Sequence, residues 1–226
     1  MNFQQSELLL TGAWLAIVTV RYRRSTVVLI GGLVVIGLFT AGGLARGAVT
    51  PAELGLFAQS SWLPTIAFAL VWLGLMLGYS PVADRIASRL IAKPPTLKSF
   101  RVLQQSKTKL VAGIVVAWAL GGFLEELVFR GVVLKSVAAI LTAWVVGPIA
   151  AGVAVVAAAI GAGIIHLYQG NRAALIITQL SVLFGVLFVF SGYNLLAVIL
   201  CHGLYDTVAF IRFAFGKSKY SGLGAA

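Results

Sequence analysis

Six carboxylates and two histidines carry the acid–base chemistry of this 226-residue chain: Glu7, Glu53, Asp84, Glu125, Glu126, Asp206, His166 and His202. Glu125 and Glu126 are adjacent, inside one of the most apolar stretches of the sequence. A charged side chain at the centre of a membrane helix costs on the order of 2.5–3.5 kcal/mol, so such groups mark function by default. Glu126 and Arg130 are four residues apart and share a helix face, which reads as an ion pair. Glu125 points about 100° away from Glu126 and is left to face a cavity. His202 and Asp206 repeat the four-residue spacing. There the carboxylate can accept a proton from one ring nitrogen and fix the tautomer and aim of the imidazole. His166 ends an apolar run and supplies the second imidazole. A carboxylate base, two imidazoles and a supporting ion pair suit hydrolysis of a peptide bond. That reaction needs an activated water, a donor for the oxyanion and a proton for the leaving amine.

Each residue also has a plainer reading. The Glu pair could snorkel at a membrane edge, and His202–Asp206 could be a structural contact between helices. Cys201 neighbours His202 but points about 100° away, so it reads as packing rather than as a thiol nucleophile. Tyr168 and Tyr205 are donors or packing residues. Glu125, His166 and His202 are the ligand types of a catalytic zinc site. No His-Glu-x-x-His motif is present, and the expectation is a site with no cofactor, with zinc on those three residues as the alternative.

The elements that must position these groups are membrane helices. Residues are 60% hydrophobic and 10% charged, with mean hydropathy +1.02. A soluble domain carries roughly 25% charged residues, so this chain is expected to be all-α: a polytopic transmembrane helical bundle of six to seven spans. Its formal charge of +11 sits between apolar runs rather than interleaved with aromatics. The positive-inside rule accounts for that, and the expected partners are membrane lipid and a peptide or protein substrate, not nucleic acid. The single cysteine excludes an intrachain disulfide and a cysteine metal cluster, and the C-terminus, Gly-Leu-Gly-Ala-Ala, has no prenylation signal of its own.

In chain order, residues 8–20 read as an interfacial or short first helix followed by the basic run Arg21-Tyr22-Arg23-Arg24. Thr26–Ala45 is the first firm span. In the loop after it, Thr50-Pro51-Ala52-Glu53 looks like a capped helix start. Trp62–Pro81 is the second span. The segment from Asp84 to Lys109 holds seven basic residues against one acid and belongs in the cytoplasm. Leu110 to about Phe129 is the third span and carries the Glu pair; Gly131–Trp144 reads as a separate connecting helix near the interface. Gly147–Leu167, Ala173–Phe190 and Leu195–Ala214 complete the bundle, and the tail carries Lys217 and Lys219. All six prolines are expected at span edges or in loops. The division is 1–109, N-terminal helices and basic loop, and 110–226, catalytic core, within one integral domain, most simply of the cell membrane. One tension is built in: Glu125 lies about 22 Å along its helix and His166 at the far end of a helix running back. They meet only if helices tilt or edges shift by a turn.

Glu125-Glu126-x-x-x-Arg130, then a histidine after an apolar run, then His202-x-x-x-Asp206, resembles the CAAX-protease and bacteriocin-processing family, also called Abi, of intramembrane glutamic endopeptidases. The resemblance runs from Leu110 to the last span. It implies that Glu125 and His166 activate a water and that His202 with its i+4 partner stabilises the oxyanion. This chain departs from the family pattern twice: Ala162 stands where a Phe is usual, four residues before His166, and Asp206 stands where Asn is common. The alternative function is a catalytically idle membrane scaffold or bacteriocin-immunity protein.

Overall fold

The computed structural model describes residues 3–22, 25–56, 62–217 and 220. Arg23, Arg24, Lys219 and the C-terminal Gly-Leu-Gly-Ala-Ala lie outside the described residues. The described residues are helical with no strand, as the composition predicts. We number the helices α1 (Phe3–Ile17, continuing with π winding through Val18–Tyr22), α2 (Thr26–Ala45), α3 (Trp62–Leu90), α4 (Lys107–Leu141), α5 (Gly147–Ile165), α6 (Asn171–Phe190) and α7 (Leu195–Ala214). Six of these, α2 to α7, are long and apolar enough to cross a membrane, so the chain is an integral membrane protein. Helix α1 is not among them. It is fastened to α2 by a buried bond from the Thr40 hydroxyl to Glu7 Oε1, 2.6 Å.

Three boundaries differ from the sequence-based expectation. Helix α3 runs through Pro81 to Leu90; the first seven residues of the basic segment, 84–90, are thus helical. A proline in a membrane helix is tolerated where local adjustment and neighbouring groups re-satisfy the freed backbone carbonyl. The third span and the expected connecting helix are one helix, α4, because nothing between Phe129 and Lys135 interrupts it. Thr50 and Glu53 do form the reciprocal cap, with Thr50 N–H donating to Glu53 Oε2 at 2.7 Å and Glu53 N–H to the Thr50 hydroxyl at 3.2 Å. They cap a single turn rather than a helix. Gly55 ends it at φ +75°, and a Cβ there would lie 2.2 Å from the carbonyl of Tyr193.

Helix ends gather in two groups. One holds the 50–56 turn and the α6–α7 connection, joined by Leu195 N–H to Gly55 O at 2.8 Å. The other holds the end of α3, the start of α4, and the α5–α6 connection. The latter is recessed: Arg172 pairs at 2.7 Å with Asp84, about 9 Å short of the end of α3 at 1.5 Å per residue. The segment after α3 lies against it, Thr96 N–H donating to Gln169 O at 2.7 Å. This recess lets His166, at the end of α5, reach the depth of Glu125 on α4, and it removes the tension read from the sequence.

Candidate active site

Helix α4 is not uniformly wound. Its flanks, Lys107–Ala117 and Lys135–Leu141, are α-helical, whereas Trp118–Glu125 and Leu127–Leu134 have π winding. π turns are uncommon and concentrate at functional sites. Glu125 and Arg130 fall in these π segments, and Glu126 is the single residue between them. Small residues bring α4 onto α7: a Cβ on Gly122 would sit 3.4 Å from the backbone of Gly203, and one on Gly121 would sit 3.0 Å from Asp206 Oδ2 and 3.4 Å from His202 Nε2. Close approach of small residues is the usual way membrane helices pack; here it also vacates the space the polar groups occupy.

Glu126 is fully buried and Arg130 nearly so. One oxygen, Glu126 Oε1, accepts from Arg130 Nη1 at 3.1 Å and is 2.6 Å from His202 Nδ1. Arg130 Nη2 donates onward to the Ser181 carbonyl at 2.9 Å and hydroxyl at 2.6 Å. A burial this complete rules out snorkelling for Glu126. The orienting partner of His202 also differs from expectation. Glu126 holds its Nδ1, while Asp206 Oδ2 lies 3.6 Å from the other nitrogen, Nε2. Packing of α4 on α7 places Glu126 against the imidazole across the glycines, closer than Asp206 comes from its own helix.

The second imidazole is set by its backbone. His166 Nδ1 lies 2.8 Å from the carbonyl of Ala162. A carbonyl only accepts, so Nδ1 carries a proton, and in the neutral ring Nε2 offers a lone pair. That lone pair is 3.9 Å from Glu125 Oε1. Glu125, His166, His202 and Asp206 all keep some exposure and line one cavity of about 600 Å³. Its apolar walls include Leu29 and Leu33 of α2, Phe100 and Leu103 of the 98–104 turn, Leu120 of α4 and Ile176 of α6. Cys201 is buried beside the site and does not line the cavity. Tyr168 and Tyr205 line it, with the Tyr205 hydroxyl given to Ser80 at 3.0 Å. Among the described residues no three His, Cys, Asp or Glu side chains are grouped to hold a metal ion; the trio Glu125, His166 and His202 is divided, His202 being engaged by Glu126 and Asp206.

The structure thus brings together all six residues singled out by type and spacing. It adds Ser181 and Phe184 of α6, Gly121 of α4 and the Ala162 carbonyl. The ring of Phe184 stacks on His202 with centroids 4.6 Å apart and planes 20° apart. Ala162 already stood out as a departure from the family pattern; the Gly121-Gly122 pair just ahead of the acids is a signal that went unused, and residues 173–190 contain no ionisable group to draw notice.

No curated protein and no solved structure matches the chain. Residues 107–208 match the family model described as Type II CAAX prenyl endopeptidase Rce1-like. That span runs from the first residue of α4 into the last helix and includes Glu125, Glu126, Arg130, His166, His202 and Asp206. The family is one of membrane proteases that act on peptide or protein substrates, in accord with six crossing helices and a polar cavity walled by apolar side chains. Over residues 107–208 this chain is similar to the Rce1-like, type II CAAX prenyl endopeptidase family.

Proposed function

We propose that this protein is an intramembrane glutamic endopeptidase that cuts a membrane-associated peptide or protein tail without a metal. The observation that carries the reading is the 3.9 Å separation of Glu125 Oε1 and His166 Nε2 at the cavity wall. A water hydrogen-bonded to both at about 2.8 Å sees the two acceptors roughly 90° apart, close to the angle between its own two O–H bonds. Both protons then point at bases and a lone pair is free to attack a carbonyl carbon. Glu125 takes the proton as the bond forms and returns it to the leaving amine.

Opposite this pair, His202 serves the developing oxyanion. Its Nδ1–H is committed to Glu126, so donation from Nε2 uses the doubly protonated ring, with Asp206 Oδ2 beside it. One such donor is typically worth 10²–10³-fold in rate. Glu126 and Arg130 hold the imidazole and take no proton. The apolar walls of the cavity suit a substrate with a hydrophobic portion, either a prenylated C-terminal tail or the apolar part of a leader peptide.

A pair of substitutions separates this reading from an idle scaffold. Glu125→Gln keeps the shape of the site and removes the base. It should abolish cleavage while the protein accumulates normally. Glu126→Gln should weaken activity and lower the amount of folded protein. A scaffold predicts that Glu125→Gln leaves the biological function intact.

A further inference from the structure

We propose that Phe184, on a span without acid–base chemistry of its own, is a positioning residue for His202. The inference takes its kinetic consequence from the proteolytic reading above. The geometry stands without it.

A hydrogen bond from Nδ1 to Glu126 Oε1 at 2.6 Å fixes one direction in the His202 ring. It leaves the ring free to swing about that direction, since the ring torsion of histidine is broad. A second constraint is needed to set the plane, and Phe184 provides it. Its ring lies nearly parallel to the imidazole, 4.6 Å centroid to centroid and 20° off. Offset stacking of this kind is favourable and planar. Direction and plane together aim Nε2 toward Asp206 Oδ2, 3.6 Å away, and into the cavity.

Phe184 is itself held. It is 4% exposed. The Arg130 guanidinium carbon lies 5.5 Å from its ring centroid, and Tyr205 meets it edge-on at 6.4 Å and 87°. Ser181, three residues earlier on the same helix face, grips Arg130 through both its carbonyl and its hydroxyl. Helix α6 thus fixes both members of the Glu126 hub, Arg130 by hydrogen bonds and His202 by a flat surface. An aliphatic side chain at 184 would fill most of the same volume and offer no plane.

The chain has two histidines, so ¹⁵N-histidine labelling of the purified full-length protein gives two sets of ring signals, assigned by His166→Gln. Wild type should show one resolved pair of nitrogen signals for His202. Phe184→Leu should average or broaden that pair, and Phe184→Tyr, which keeps the ring face, should restore it. Phe184→Met carries the same prediction if Phe184→Leu does not accumulate. In turnover, the aliphatic variants should lose 10- to 100-fold in kcat with KM within about twofold, and Phe184→Tyr should stay close to wild type. Unchanged His202 signals in a folded aliphatic variant would overturn the proposal. Equal disturbance by Leu and Tyr would do the same. A wild-type protein without Glu125-dependent cleavage would remove the proteolytic reading and leave the signal comparison to decide this one.

Discussion

At the scale of single residues, the site divides into groups that keep some exposure and groups that are buried. Arg130 and Glu126 are the buried pair. Replacing Arg130 with Leu strands a buried carboxylate, and breaking a buried pair in this way costs about 3–5 kcal/mol. Arg130→Leu should therefore lower the thermal midpoint in detergent markedly, whereas Glu125→Gln, which strands nothing, should leave it within a degree or two of wild type. A comparable loss in both variants would show that Glu125 is structural. This division was partly visible in the sequence. Spacing of four paired Glu126 with Arg130 because a helix repeats its faces every turn. The hydrogen bond from His202 to Glu126 was invisible, since the two are far apart in the chain and only the glycine-lined contact of α4 with α7 joins them. Spacing favoured Asp206 as the orienting partner for the same reason that it succeeded elsewhere: local rules see only one helix at a time.

At the scale of elements, helix α4 decides whether the site exists. Its glycines are where a methyl group should be felt. Gly121→Ala would set a Cβ 3.0 Å from Asp206 Oδ2 and 3.4 Å from His202 Nε2. We expect at least a tenfold loss of kcat with little change in folded yield, read by turnover beside size-exclusion profiles. Gly203→Ala differs, since its Cβ would fall 2.4 Å from the Trp118 ring; there the amount of folded protein should drop. Wild-type kcat in Gly121→Ala would refute the view that the bare backbone shapes the site. At the opposite end, Thr50 N–H and then its hydroxyl hold the Glu53 carboxyl below its ordinary range. The cap therefore contributes fully above the unfolded value near 4.3 and is lost as pH falls through the lower folded value. Exchange of the Thr50 amide should quicken only below that pH, and Glu53→Gln should exchange fast throughout. The single turn at 50–55 and the unbroken α4 were both misjudged from sequence, for a shared reason. Start and stop signals report local preference, while tertiary contacts with the 193–195 backbone and with α7 set how far a helix continues.

At the scale of the whole molecule, five of the six crossing helices, α2 and α4 to α7, line a cavity with a few polar groups at the end of the bundle that carries the basic 84–109 segment. Composition alone predicted the bundle, because a chain 60% hydrophobic has no surface to show to water. The recess of the α5–α6 connection was not legible, since it depends on the Arg172–Asp84 pair between distant segments. We propose, from the positive-inside rule, that the basic segment is cytoplasmic. Lys98→Cys should label from that side only, over a low background, since Cys201 is buried. Labelling from outside would invert the topology. Chelator-washed protein should retain its turnover, and activity that falls and returns with zinc would restore the metal reading. The central claim is that Glu125 activates the water that becomes part of the product. Cleavage of a prenylated tail peptide by purified protein in ¹⁸O-water tests it directly. We predict one ¹⁸O in the newly formed carboxylate and no product from Glu125→Gln. Product formed at the same rate by Glu125→Gln, or a new terminus without the label, would contradict the account.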